Sequence, residues 1–191
     1  MLISRNEMED EQLVDVIDAL GAHPQLEKLE FPRMSIGRIE CRALADFLRN
    51  TTINLQELNL CHNDIDDECV DALLGGLLTN ASLSILNLRH NRIVSRGCQS
   101  LAALLVNPSC SLEELYLNSN RIGDEGALIF ANAMASNRKL KTLNLYGTVI
   151  IPAKEWSSFS KVLCDTSSVT NTYLSNHTLE SLDMRSNLPA D

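Results

Sequence analysis

The sequence predicts an α/β solenoid, with a parallel β-sheet on the concave face and helices on the convex face. Three observations predict it. An eleven-residue pattern, Leu55-Gln56-Glu57-Leu58-Asn59-Leu60-Cys61-His62-Asn63-Asp64-Ile65, returns at Leu83–Ile93 and again at Leu112–Ile122, each time reading L-x-x-L-x-L-x-x-N-x-I. Weaker copies begin at Leu26, Leu140 and Leu179, so the six leading leucines are separated by 29, 28, 29, 28 and 39 residues. A fixed period of this length marks a stacked array. Within each unit the apolar period changes from 2 to about 3.6, which means a strand followed by a helix.

The elements follow in order. Leu13, Val16, Ile17 and Leu20 predict an opening helix, stopped by Gly21 and Pro24. Its early acids Glu9, Asp10 and Glu11 suit the positive end of the helix dipole. Each Leu-x-Leu is a strand, and each strand is followed by a helical face: Cys41, Leu44, Ala45, Leu48; Val70, Leu73, Leu74, Leu77; Cys98, Leu101, Ala102, Leu105; Ala127, Phe130, Ala131, Met134. One such unit cannot bury its apolar face alone, so units stack. Neighbouring strands sit about 4.8 Å apart and packed helices about 8–10 Å, so the array bends with its strands inside. Asn63, Asn91 and Asn120 each bring a donor and an acceptor to the backbone bend after the strand.

The fifth unit departs from the pattern. Thr148 stands where Asn is expected, and Trp156, Phe159 and Leu163 are one residue out of step. The polar, turn-rich segment 164–178 then reads as a protruding loop. The expected organisation is a capping helix in residues 1–25, five repeats over 26–163, the insertion at 164–178 and a last partial repeat at 179–191. Opening on one half-unit and closing on another implies improvised caps or a longer array.

Composition narrows the function classes. The 191 residues are 45% hydrophobic and 21% charged, as in folded globular chains. The net charge of −9 argues against nucleic acid and anionic membranes, which require clustered Lys and Arg. Neither a signal peptide nor a membrane span is readable, so a cytoplasmic location with reduced thiols is expected. On that reading the sequons at Asn50, Asn80 and Asn176 are chance matches. Cys41 and Cys98 fall in the helical slot of Val70 and Ala127, and Cys69 in that of Gly126, so these thiols pack as small hydrophobes. Cys61 is expected to face solvent.

Between the strand leucines, side chains point away from the core. One row is Glu30, Asn59, Asn87, Tyr116, Asn144 and Asp183, and the next is Pro32, Cys61, Arg89, Asn118, Tyr146 and Arg185. Tyr and Arg offer large contact area with a polar handle. The expected partner-binding residues are therefore Glu30, Asn59, Cys61, Asn87, Arg89, Tyr116, Asn118, Asn144 and Tyr146. His62 and His90 lie in adjacent repeats beside Cys61, but their row continues as Arg33, Ser119 and Gly147, which lack the further ligands zinc requires. No G-x-S-x-G, P-loop, H-E-x-x-H or dinucleotide fingerprint is present. Asp66-Asp67-Glu68 and Asp124-Glu125 recur where helices start and read as N-terminal charges. No catalytic residue, metal or cofactor is expected.

The alternating 28 and 29 residues, with Ile122-Gly123-Asp124-Glu125-Gly126-Ala127 followed by Ala131, Ala133 and Met134, resemble the ribonuclease-inhibitor type of leucine-rich repeat over residues 9–163. The resemblance implies a non-enzymatic interaction module, a scaffold or regulator that cradles a protein partner on the concave sheet. It also implies two alternatives. One is a GTPase-activating protein similar to the Ran-specific kind, although the ending Leu188-Pro189-Ala190-Asp191 lacks that group's acidic tail. The other is a fragment of a larger leucine-rich repeat receptor. Repeats encode a shape, so neither the partner's identity nor an oligomeric state is specified by them.

Overall fold

Each repeat folds as a short strand, a tight turn and a helix because its first, fourth and sixth positions are leucine-like and the residues between them are polar. The computed structural model describes residue 1 and residues 10–148, 160–162, 167–170 and 175–184. Helix α1 spans Asp10–Leu20. Strands β1 (Lys28–Glu30), β2 (Glu57–Asn59), β3 (Ile85–Asn87), β4 (Glu114–Tyr116), β5 (Thr142–Asn144) and β6 (Ser181–Asp183) are joined in sequence through helices α2 (Arg38–Arg49), α3 (Asp67–Leu77), α4 (Ser95–Val106) and α5 (Gly123–Ser136). All neighbouring strands pair in parallel in the order β1 to β6. The register sets Leu29, Leu58, Leu86, Leu115, Leu143 and Leu182 side by side. A parallel return needs a crossover, and α2 to α5 supply it between β1 and β5.

The core lies between sheet and helices. Leu29, Leu58, Leu86, Leu115 and Leu143 are fully buried, as are the facing Leu44, Leu101 and Phe130. Cys41, Val70, Cys98 and Ala127 share one buried slot, and Cys69 is buried beside it. Helix α1 buries Leu13, Ile17 and Leu20 and packs on α2.

The acids at the helix starts are part of the scaffold. The Asp66 side chain accepts from the Cys69 N–H at 3.0 Å, capping α3. Asp67 accepts from the Val94 N–H at 2.9 Å, so it caps α4 of the following repeat. Gly37, which precedes α2, donates its N–H to Glu40 at 2.8 Å.

Two asparagine ladders run along the array. In the first, Asn91 Oδ1 accepts from the Ile65 N–H, while its Nδ2 donates to the carbonyls of Leu60, Leu88 and Arg89. Asn63 and Asn120 repeat the arrangement one unit to either side. Thr148 is too short to span repeats and donates only to Leu145 O of its own unit, at 2.6 Å. The second ladder sits at the turn from helix back to strand and comprises Asn50, Asn80, Asn107, Asn137 and Asn176. Asn80, Asn137 and Asn176 donate Nδ2 to the preceding repeat at Leu48 O, Leu105 O and Met134 O. The Oδ1 atoms of all five accept from an N–H two residues ahead. All three sequon asparagines are thus structural, and their Thr or Ser partners complete the turn.

The ladder reaches into the end of the expected loop at 164–178, where residues 167–170 are exposed. Of that segment, residues 167–170 and 175–178 are described, and Asn176 is 3% exposed and built into the scaffold. Trp156, Phe159 and Leu163 lie outside the described residues. Among the described residues no helix is long and apolar enough to cross a membrane.

Candidate functional site

The strand pairing sets Glu30, Asn59, Asn87, Tyr116, Asn144 and Asp183 in one row across six strands. All are half-buried. Two residues earlier on each strand, and therefore on the same face, runs a row that sequence reasoning missed: Lys28, Glu57, Ile85, Glu114, Thr142 and Ser181. Lys28 Nζ ties Glu30 at 3.3 Å to Glu57 at 2.9 Å, and Asn59 Nδ2 donates to Glu30 at 3.3 Å. The Tyr116 hydroxyl donates to Glu114 at 2.6 Å, and this carboxylate holds the phenol up to about 12.

The asparagines of the row are clamped to their own backbone. Oδ1 of Asn59, Asn87 and Asn144 accepts from the N–H of Cys61, Arg89 and Tyr146 respectively, at 3.0–3.1 Å. The next row begins at those residues. Arg89 is exposed and Tyr146 is 37% exposed, whereas Asn118 is only 7% exposed, contrary to its expected solvent-facing position. Cys61 is half-buried, and burial pushes its thiol up against the opposing pull of Arg89. Arg185 lies outside the described residues.

Beyond the strands a left-handed residue recurs at the same position of each repeat, at Arg33 (φ 60°), His62 (57°), His90 (53°), Ser119 (59°) and Gly147 (67°), with Ser35 and Gly123 also left-handed. The N–H groups of His62, His90 and Ser119 donate to Arg89 O, Asn118 O and Tyr146 O of the next repeat, each at 2.9 Å. Equivalent turns place equivalent side chains together, and the rings of His62 and His90 stack with centroids 4.1 Å apart. Burial lowers the pKa of both. His62 is pushed further down by His90, Arg33 and Arg89, and His90 by Arg89 and Arg33. Among the described residues no group of three or more His, Cys, Asp or Glu side chains could hold a metal ion.

On the inner wall the strand starts carry Glu57, paired to Lys28, and Glu114, bonded by Tyr116. Beside it the turns after the strands carry Arg33, Arg92 and Arg121, with Asp64 paired to Arg92 at 2.6 Å, and Arg89 adjoins them. Neither the row from Lys28 to Ser181 nor the histidine stack carries a motif. Both were readable only by writing the repeats under one another at positions three and eight.

Comparison with known proteins agrees with this geometry. A leucine-rich repeat family model matches residues 53–74, 79–102 and 109–131. Pig (Sus scrofa) ribonuclease inhibitor is 29% identical over 156 residues, 80% of this chain and 34% of the inhibitor. Bovine (Bos taurus) NACHT, LRR and PYD domains-containing protein 9 is 29% identical over 128 residues, 67% of this chain. The chain spans 13% of the length of that relative. Among solved structures, leiomodin-1 actin-binding site 2 superposes with a TM-score of 0.62 at 15% identity, covering 81% of this chain and 87% of that one. The tropomodulin C-terminal domain of Caenorhabditis elegans gives 0.58 at 18% identity, covering 80% and 90%. Repeats of 28 and 29 residues, a six-stranded parallel sheet backed by helices and these similarities agree: residues 53–74, 79–102 and 109–131 are leucine-rich repeats, and the chain is similar to leucine-rich repeat proteins of the ribonuclease-inhibitor type.

Proposed function

We propose that the chain binds a protein partner on the concave wall of its sheet, as a non-enzymatic scaffold or regulator. That it is a protein–protein interaction module follows from its repeats. The concave wall is favoured by one observation, the six-strand row in which half-buried Glu30, Asn59, Asn87, Tyr116 and Asn144 stand in register between fully buried leucines. Such a row is wide, nearly continuous and held in place by hydrogen bonds, and little side-chain freedom is lost when a partner covers it. Arg89, Cys61 and Tyr146 extend it toward the strand ends, with the buried Asn118 as a spacer. Ribonuclease inhibitor and leiomodin-1 actin-binding site 2 carry names that refer to protein partners, which supports a folded protein as the ligand.

The test compares affinity capture by the wild type, by the Tyr116→Glu/Tyr146→Glu pair and by Leu128→Glu on exposed α5. Circular dichroism verifies that each variant is folded. A protein captured by wild type and Leu128→Glu but lost with the tyrosine pair supports the concave wall. Loss with Leu128→Glu alone moves the interface to the helices and overturns the reading.

A further inference from the structure

We propose that the groove along the strand-to-helix turns docks an extended acidic segment of a partner protein, its carboxylates held by Arg33, Arg121 and the stacked His62–His90 pair. The groove has a volume of about 630 Å³ and is lined by Arg33, His62, His90, Arg92 and Arg121, with Asp64 its one carboxylate. It lies beside the concave wall rather than on it, so it does not rest on the reading above.

Three features carry the inference. The first is charge: a chain of net −9 gathers three arginines and two histidines in one groove, and Arg89 adjoins it. Among the described residues Arg33, Arg89 and Arg121 form no ion pair, whereas Arg92 already holds Asp64 at 2.6 Å. That pair is a template for the contact a ligand carboxylate would make with its neighbours. The second is the backbone. Phosphate sites are commonly built from N–H groups converging on the ion. Here the N–H groups of Arg33, His62, His90 and Ser119 are all committed to carbonyls of the next repeat. Only side chains remain, set out one repeat at a time at about 4.8 Å per strand, and they form a line of cationic groups that carboxylates on flexible side chains of an extended segment can reach. A polynucleotide would also bring its phosphates against Glu57 and Glu114 on the adjoining wall.

The third is the histidine stack. Two imidazoles face each other between Arg33 and Arg89, with Arg92, Arg121 and Asp64 in the same groove, so charging them is opposed until an anion arrives. A docked carboxylate offsets that opposition and draws a proton onto the pair. Binding is then coupled to proton uptake and strengthens as pH falls.

The experiment measures fluorescence anisotropy of a labelled octa-aspartate peptide on the full chain. It is run at low salt, at about pH 7.5 and about pH 5.5, on either side of the ordinary imidazole pKa. The proposal expects Arg33→Glu/Arg121→Glu to weaken binding by about tenfold or more, while a pair of the same charge change that does not line the groove, Arg42→Glu/Arg138→Glu, leaves it within about twofold. His62→Asn/His90→Asn keeps side chains that tolerate the left-handed turn and is expected to remove the strengthening at low pH without changing binding at the higher pH. Equal loss in both arginine pairs overturns the proposal. So does full pH dependence in the asparagine variant, or equally tight binding of a labelled oligothymidylate.

Discussion

Replacing Asn91 by alanine probes what holds consecutive repeats together. Asn91 is 7% exposed and makes four bonds, one from Ile65 N–H at 3.0 Å and three to the carbonyls of Leu60, Leu88 and Arg89 at 3.0, 2.9 and 3.3 Å. The carbonyls each keep another donor after truncation: Asn63 Nδ2 on Leu60 O, Asn120 Nδ2 on Leu88 O, and His62 N–H on Arg89 O. The Ile65 N–H loses its side-chain acceptor in a buried place, which costs about 1–3 kcal/mol, and the three shared bonds add about 0.5 kcal/mol each. The sum is about 3 kcal/mol, a large part of the roughly 5–15 kcal/mol that holds a domain folded. Equilibrium urea unfolding followed by circular dichroism reads it as a lowered midpoint at unchanged slope. Asn91→Asp makes the sharper test. It keeps an acceptor for Ile65 but turns the two donated hydrogens into a carboxylate oxygen facing Leu60 O and Leu88 O, so at neutral pH it is at least as destabilising as alanine. Burial beside carbonyls raises that carboxyl's folded pKa above its unfolded one, so the deficit shrinks as pH falls and the acid regains a hydrogen to donate. A loss below about 1 kcal/mol for alanine, or an aspartate variant as stable as wild type at neutral pH, would refute the ladder's energetic role.

Other consequences are equally checkable. Thr148→Asn restores the missing rung and should raise the unfolding free energy read by urea titration by about 1 kcal/mol, the worth of one added hydrogen bond. Gly76→Ala should lower it by about 1–3 kcal/mol, since a Cβ there would sit 2.7 Å from Ala45 Cα and the helix backbones of α2 and α3 would have to separate. Asp66→Ala removes the cap of α3 and should cost about 1 kcal/mol, while Asp66→Asn should be nearly neutral. The Cys69 N–H holds the Asp66 carboxyl below its ordinary value, so this contribution is present above the unfolded carboxylate pKa and is lost as pH falls through the folded one. Tyr116 titrates in the opposite sense. Its folded value of about 12 exceeds the ordinary 10.0, so the stabilisation by Glu114 is complete below about pH 10 and fades between 10 and 12. Ultraviolet titration should find that late phenol in the wild type and lose it in Glu114→Gln.

The parts of the fold that were legible in the sequence are those in which one physical requirement repeats at one position. A large apolar residue at the fourth and sixth positions is forced by burial in the first five units, and the asparagines at the ninth, Asn63, Asn91 and Asn120, by carbonyls that the strands leave behind. The second ladder obeys the same logic but was hidden, because its members stand five residues before Leu55 and Leu112 but three before Leu83, Leu140 and Leu179. That offset locates the alternation between 29 and 28 residues. The longer units reach the asparagine one residue sooner but fit two extra residues between it and the leucine, among them the buried Ile53 or Cys110, whose N–H donates to the asparagine's carbonyl. The N-x-S/T spelling of three rungs suggests a modification site, yet an asparagine whose oxygen accepts from the residue two ahead explains the hydroxyl partner without one. Asn118 misled for a related reason. Strand alternation predicts the side a residue faces, but burial also depends on what the neighbouring turns lay over it.

The same distinction separates the two surfaces of the inner face. On the wall, Asn59, Asn87 and Asn144 are pinned to their own backbone, Tyr116 is pinned to Glu114, and Lys28 straps Glu30 to Glu57. Such groups have lost most of their rotamer freedom before any partner arrives, and what they contribute on contact is shape and fixed polarity. Along the turns the geometry is rigid in the backbone and loose in the side chains. The left-handed residues are locked by bonds to the next repeat, while Arg33 and Arg121 project charge from that frame. Long-range attraction acts on encounter and fades with salt, whereas a fitted wall acts on dissociation. A partner using both surfaces would therefore show a salt-dependent association rate that Arg33→Glu/Arg121→Glu slows, and a dissociation rate that Tyr116→Glu/Tyr146→Glu speeds. A single rate constant answering to both pairs of substitutions would mean that wall and rim act as one site.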